Sequence, residues 1–258
     1  MKRLIPLTQA LALVLAFAFV PTLLLSSSYA QADTHTDYSE LFQHEASSAE
    51  LTRLTAQLSP SPQAKGDFSQ YRYLKVLKKP LVSQGEFVFA KDLGVIWQQN
   101  TPFASTLILK DKQLIQIDSQ GNININNAEQ AGSVNQMSEL MPKLLNALLS
   151  GDIKQLEQHF SLSLQLAPNT EGQATQQWQL GLIPTDPLLE KAMPQMVLAG
   201  NEQIQTLVLF SRNGDRSRIE FSAIDESPLT AADKQRFSPA PLPELSPNTV
   251  PQNEGKQP

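Results

Sequence analysis

The chain has 258 residues and a formal net charge of −5, is 41% hydrophobic and 17% charged, and contains no cysteine. That composition supplies the core of one domain of up to about 200 residues plus appendages. The acidic balance argues against nucleic acid, whose backbone demands clustered Lys and Arg, and there is no residue for a disulfide or a lipidated N-terminal cysteine.

From the N-terminus, Lys2 and Arg3 precede an almost uniformly apolar run over 11–25, and Ala30 and Ala32 each close a small-residue cleavage pattern. This is the pattern of a secretory signal peptide, expected to span 1–30 and to be cleaved on export. The run is short of the roughly 20 apolar residues a membrane span needs, and Pro21 interrupts it. A helix is expected over 37–58, where Leu41, Phe42, Ala46, Leu51, Leu54 and Leu58 recur at helical spacing before Pro60 and Pro62.

Strands follow. The first is read over 66–73, with a turn at Lys79-Pro80. The second, over 83–90, places Phe87 and Phe89 on one face and Glu86 and Val88 on the other. Short strands are read over 95–98, 105–110 and 113–117, then one where Ile123 and Ile125 alternate with Asn122, Asn124 and Asn126. Lys75, Lys78 and Lys79, near Arg72, form the one basic cluster and read as a solvated strand end and turn.

Helical period returns over 134–149, where Met137, Leu140, Met141, Leu144, Leu145 and Leu148 make one stripe and Pro142 predicts a kink or two short helices. A helix over 153–158 is capped by Asp152. Strands over 160–166 and 176–183 precede a helix over 185–198, with Pro187 in its first turn. A hairpin closes the pattern, 203–210 and 216–224 around Asn213-Gly214. The last 32 residues hold seven of the 18 prolines, so 227–258 is expected to be a disordered tail beyond a domain over 31–226. About nine strands in hairpin order with a few helices define an α+β fold: an incomplete antiparallel β-barrel, a curled sheet whose hydrophobic face is covered by helices.

The chain carries little chemistry. His35, His44 and His159 lack partners at ligand spacing, and there is no G-x-S-x-G elbow and no phosphate loop. Asp111, Asp118, Glu139 and Asp152 are separated carboxylates at turns and helix ends, read as caps and solvated groups. No metal, no cofactor and no enzymatic activity are expected. The methionines are more informative: Met137 and Met141 are four apart, and Met193 and Met196 three apart. Methionine is flexible and polarizable, so each pair is either core filling or part of a deformable lid over an apolar cavity. The wall of that cavity would be Phe87, Phe89, Trp97, Leu107 and Leu109.

Gly66-Asp67-Phe68-Ser69-Gln70, then Pro80 through Phe89, Gly94-Val95-Ile96-Trp97 and Pro102-Phe103 form an ordered set of motifs. Gly151-Asp152 with Leu156 and Phe160, Trp178-Gln179-Leu180 with Pro184, and Gly214-Asp215 continue it. By the order and spacing of these residues the chain resembles the outer-membrane lipoprotein carrier (LolA) family, and especially its LolA-like branch, across roughly residues 38–226. The resemblance implies a half-open barrel closed by helices, with a hydrophobic cavity for the acyl chains of lipoproteins or lipids. It also implies a monomeric periplasmic shuttle, with an inner-membrane transporter as donor and an outer-membrane acceptor. In the family a basic residue after the second core strand helps hold the lid. Lys91 matches that position, where the family typically has Arg; a lysine offers one point charge in place of a fork of donors. The alternatives are a non-carrier β-sheet interaction or assembly protein of an envelope complex, whose concavity would be packed, and an envelope hydrolase with a scattered site.

Overall fold

The computed structural model describes residues 37–58, 61–110, 113–127, 152–167 and 176–238. Eleven strands make one antiparallel sheet: β1 (Gln63–Tyr73), β2 (Leu81–Ala90), β3 (Gly94–Thr101), β4 (Ser105–Lys110), β5 (Gln113–Ile117), β6 (Ile123–Asn127), β7 (Phe160–Leu166), β8 (Trp178–Pro184), β9 (Gln195–Gly200), β10 (Ile204–Phe210) and β11 (Arg216–Asp225). Their order is β6-β5-β4-β3-β2-β1-β11-β10-β9-β8-β7, so β6 and β7 are the two edges and the sheet stays open. Every pair of neighbours is consecutive in the chain except β1 and β11, which join the two halves. The register shifts between Lys65 and Asp67, between Gln84 and Gly85, and between Ile204 and Thr206. Such bulges increase local twist and curl a wide sheet.

The helices are short: α1 (Ser48–Gln57), α2 (Ile153–Glu157), α3 (Pro187–Ala192) and α4 (Ala231–Gln235). The helix expected over 37–58 is broken. A single 3-10 turn, Leu41–Gln43, comes first, and α1 begins after Ser47, whose side chain accepts from the Glu50 N–H in a reciprocal capping box. Leu51, Leu54 and Leu58 of this segment pack on the inner face of the sheet with Phe68, Leu180, Leu182, Met196 and Leu198. Ile153 and Leu156 of α2 join them, as do Leu189 and Met193 at α3.

The helix expected over 185–198 is corrected. It stops at Ala192, Pro194 follows, and Gln195–Gly200 is a strand. Met196, Val197 and Leu198 are all at most 1% exposed. A strand buried on both faces shows no alternation, so its apolar run cannot be told from a helix by period alone.

The outer face is covered at two places. At β8 to β10, Tyr38, Leu41 and Phe42 pack with Val197, Val208 and Phe210. The Phe42 ring fits where Gly181 has no side chain: a Cβ there would lie 2.7 Å from it. Over β2 to β5, the segment after β11 crosses back. Leu229 and Phe237 are 5% and 1% exposed, packed on Val88, Ile96, Ile108 and Ile115. The expected domain boundary at 226 is therefore too early: 227–238 belongs to the fold. Its two buried residues lie eight apart around a five-residue helix, too sparse to register as a periodic pattern. Lys65 reaches Asp233 at 3.3 Å, Arg236 donates to Gln98 at 2.8 Å, and Lys110 donates to Ser238 at 2.8 Å.

Candidate functional site: the apolar inner face

Cross-strand partners share a face, so the register decides which side chains meet. Phe87 on β2 stands opposite Trp97 on β3, and Trp97 opposite Leu107 on β4. One step along, Phe89 faces Val95, Val95 faces Leu109, and Leu109 faces Leu114 on β5. The five residues named from sequence as a cavity wall thus stand in two adjoining rows on one face. The rows continue across the join: Phe68 lies beside Phe221, Gln70 beside Ile219, Ile219 beside Leu207, and Leu207 beside Leu198. Leu180 and Leu164 carry the same row to the β7 edge.

Burial divides this face. On the β7 to β10 side it is a packed core beneath α1, α2 and α3, with Leu180 and Leu182 at 0% exposure. Phe87 and Phe89 are also closed, but Trp97, Leu107, Leu109 and Leu114 towards β5 are only half-buried. An aromatic group marks the transition. Phe68 and Trp97 stack with ring centroids 3.7 Å apart, and Phe221 meets Trp97 and Phe87 edge-on at 6.3 Å and 5.3 Å. Such pairs prefer offset or T-shaped geometry and add stability beyond their area. Phe221 and Leu114 were not singled out from sequence; for Phe221, the alternation of Ser217, Ile219 and Phe221 in β11 was the available signal.

Towards the β1–β2 turn the face becomes polar. Gln70 and Ser217 are buried, Ser83 donates to Gln70 at 3.5 Å, and Arg72 lies between Ser217 and Leu81. Burial pulls the Arg72 guanidinium below its ordinary value, opposed by the charge of Asp215. At the opposite end Lys91 is exposed in the turn between β2 and β3, where its N–H donates to the Pro62 carbonyl at 2.8 Å. It makes no ion pair among the described residues.

Of the second methionine pair, Met193 follows α3 and packs in the core, as core filling requires. Met196 is corrected: it lies on β9, within the sheet and not on a covering helix. Met137 and Met141, with the helical stripe over 134–149, lie outside the described residues, as do Asp111 and Glu139. Among the described residues no three His, Asp or Glu side chains stand together as a metal site.

An open, curled antiparallel sheet with a largely apolar inner face, roofed in part by short helices, is the class of protein these features define. The chain belongs to the LolA-like outer membrane lipoprotein carrier family, whose model, described as "Outer membrane lipoprotein carrier protein LolA-like", matches residues 45–227. No curated protein matches the chain. Solved structures similar to it include a LolA superfamily protein from Nitrosomonas europaea, at 11% identity and a TM-score of 0.35, covering 70% of this chain and 93% of that one. A putative outer membrane lipoprotein-sorting protein domain from Vibrio parahaemolyticus is similar at 8% identity and a TM-score of 0.37, covering 72% and 94%. A DUF1329 family protein from Desulfovibrio piger is similar at 12% identity and a TM-score of 0.36, covering 70% and 93%.

Proposed function

We propose that this protein is a periplasmic carrier that holds acyl chains of lipoproteins or lipids against its inner face and shuttles them between the inner and outer membrane. One observation carries the reading: the half-buried Trp97, Leu107, Leu109 and Leu114 stand in rows that run back through Phe87, Phe89 and Phe68 to a closed apolar core. Family membership supports the periplasmic setting and the lipid-bearing cargo. Phe87 and Phe89 form the floor and Trp97, Leu107 and Leu109 the wall. In this reading Lys91, exposed at the β2–β3 end, meets the segment that covers the cavity. The protein binds and releases without a covalent step.

Burying an acyl chain stabilises by about 0.8 kcal/mol per methylene. A carrier must therefore offset much of that gain in order to release its cargo, and opening a closed apolar face does so. The test is native mass spectrometry of protein purified from the envelope, with displacement of a fluorescent fatty-acid probe. Co-purifying lipid and saturable displacement are expected. A protein without either is an interaction protein with a packed core.

A further inference from the structure

The β1–β2 hairpin carries a group of apolar side chains that none of the described residues covers. Val76 is 87% exposed, Leu81 50%, Val82 46% and Leu77 39%. Single exposed aliphatic residues are ordinary; four within seven positions of one hairpin are not. Arg72, Lys75, Lys78 and Lys79 are interleaved with them, and no acidic residue occurs from Arg72 to Gln84, in a chain whose net charge is −5. The tip is held in place at its base. The Lys75 N–H donates to the Asp215 carboxylate at 3.0 Å, the Leu77 N–H donates to the Leu74 carbonyl at 2.9 Å, and the Lys75 stem fills the space that a side chain at Gly214 would need. Phe103, 47% exposed in the β3–β4 turn, lies at the same end of the sheet, since Thr101 pairs with Gln84 near the start of β2.

We propose that this hairpin docks the protein on an anionic lipid surface, with Val76, Leu77, Leu81 and Val82 entering the headgroup region and Lys78 and Lys79 at the phosphates. The composition favours lipid over a protein partner. Protein interfaces are depleted in lysine and anchored by Trp, Tyr and Arg in pockets. Here aliphatic side chains alternate with lysines, whose stems lie along apolar surface while their ammonium groups stay in water. Peripheral attachment adds apolar burial to attraction of Lys and Arg by anionic lipid. Docking here is a property of the hairpin and does not depend on what the inner face carries.

Vesicle flotation tests it, using cargo-free vesicles of phosphatidylglycerol with phosphatidylethanolamine and vesicles of phosphatidylcholine alone. The protein is expected to float with the anionic vesicles, less so as salt rises, and not with the neutral ones. Lys78→Ala with Lys79→Ala lowers the partition coefficient roughly thirtyfold, and Val76→Ser lowers it about tenfold. Circular dichroism should stay unchanged, because these side chains are exposed. The chain has no cysteine, so Val76→Cys accepts a single environment-sensitive dye. Its emission should shift to the blue on anionic vesicles, while a dye at Asp92→Cys, in the β2–β3 turn at the far end of the sheet, should not. Absence of flotation with anionic vesicles overturns the proposal, as does flotation that the variants leave unchanged. Attachment to membranes containing protein, but not to vesicles of their extracted lipids, would assign the hairpin to a protein partner and equally overturn it.

Discussion

The rings of Phe68 and Trp97 stack at 3.7 Å although their strands, β1 and β3, are not neighbours. Gly85 stands on β2 directly opposite Phe68, on the strand between the two rings. The same residue lies where the β2–β3 register shifts, and a Cβ there would sit 1.9 Å from the Gln98 carbonyl oxygen. One glycine thus permits the close approach of β2 and β3 beside the aromatic stack that joins the packed half of the inner face to its half-buried half.

Gly85→Ala is therefore expected to lower stability by about 1–3 kcal/mol, because the obstacle is β3 backbone and not a flexible side chain. Urea unfolding measures it as a lower midpoint at unchanged slope.

Trp97→Ala removes the stack and the contact to Phe221. A loss of about 2–4 kcal/mol is expected, below the range for a fully buried tryptophan since Trp97 is half-buried. The chain has two tryptophans, so in a Trp178→Phe background Trp97 alone reports on the inner face. Its emission should change on adding a fatty-acid probe; an emission blind to bound probe would remove Trp97 from the wall.

Leu107→Glu separates binding from folding. Leu107 is half-buried, so the carboxylate can reach solvent in the free protein but must be covered when an acyl chain lies across it. Probe affinity should fall by roughly a hundredfold with little change in melting temperature. Unaltered affinity would place the acyl chain elsewhere.

Phe237 anchors the segment after β11 at 1% exposure. Phe237→Ala should cost about 3–4 kcal/mol. Detachment of that segment would uncover Val88, Ile96, Ile108 and Ile115, so the variant should bind an apolar dye such as anilinonaphthalene sulfonate more strongly than wild type.

The same segment should be sensitive to acid. The Thr230 side chain and N–H hold the Asp233 carboxyl below its ordinary value, with Lys65 adding to this. A depressed folded pKa contributes stability that is fully present above the unfolded value near pH 4 and is lost as pH falls through the lower folded value. Amide exchange in α4 should therefore quicken as pH falls below about 4, after correction for intrinsic rates. Asp233→Asn should exchange faster already at neutral pH and show a weaker response to acid.

Much of this molecule was legible in the chain. Alternation from Phe160 to Leu166 specified a strand because one face is more buried than the other, and period 2 records that difference. Turn residues such as Asn213-Gly214 specified the hairpins, and the five wall residues were named because alternation places them on one face whatever the sheet does next. The order and spacing of Gly66 through Phe68, Gly85 through Phe89 and Trp97 carried the family. Three things were decided only by tertiary structure. Gln195–Gly200 became a strand because neighbours bury both its faces, which erases the alternation a reader relies on. The segment containing Leu229 and Phe237 joined the fold because distant Ile96 and Ile108 present an apolar surface to it. Val76, Leu77, Leu81 and Val82 were left exposed because none of the described residues packs over them, and exposure belongs to the packed molecule and not to the residue.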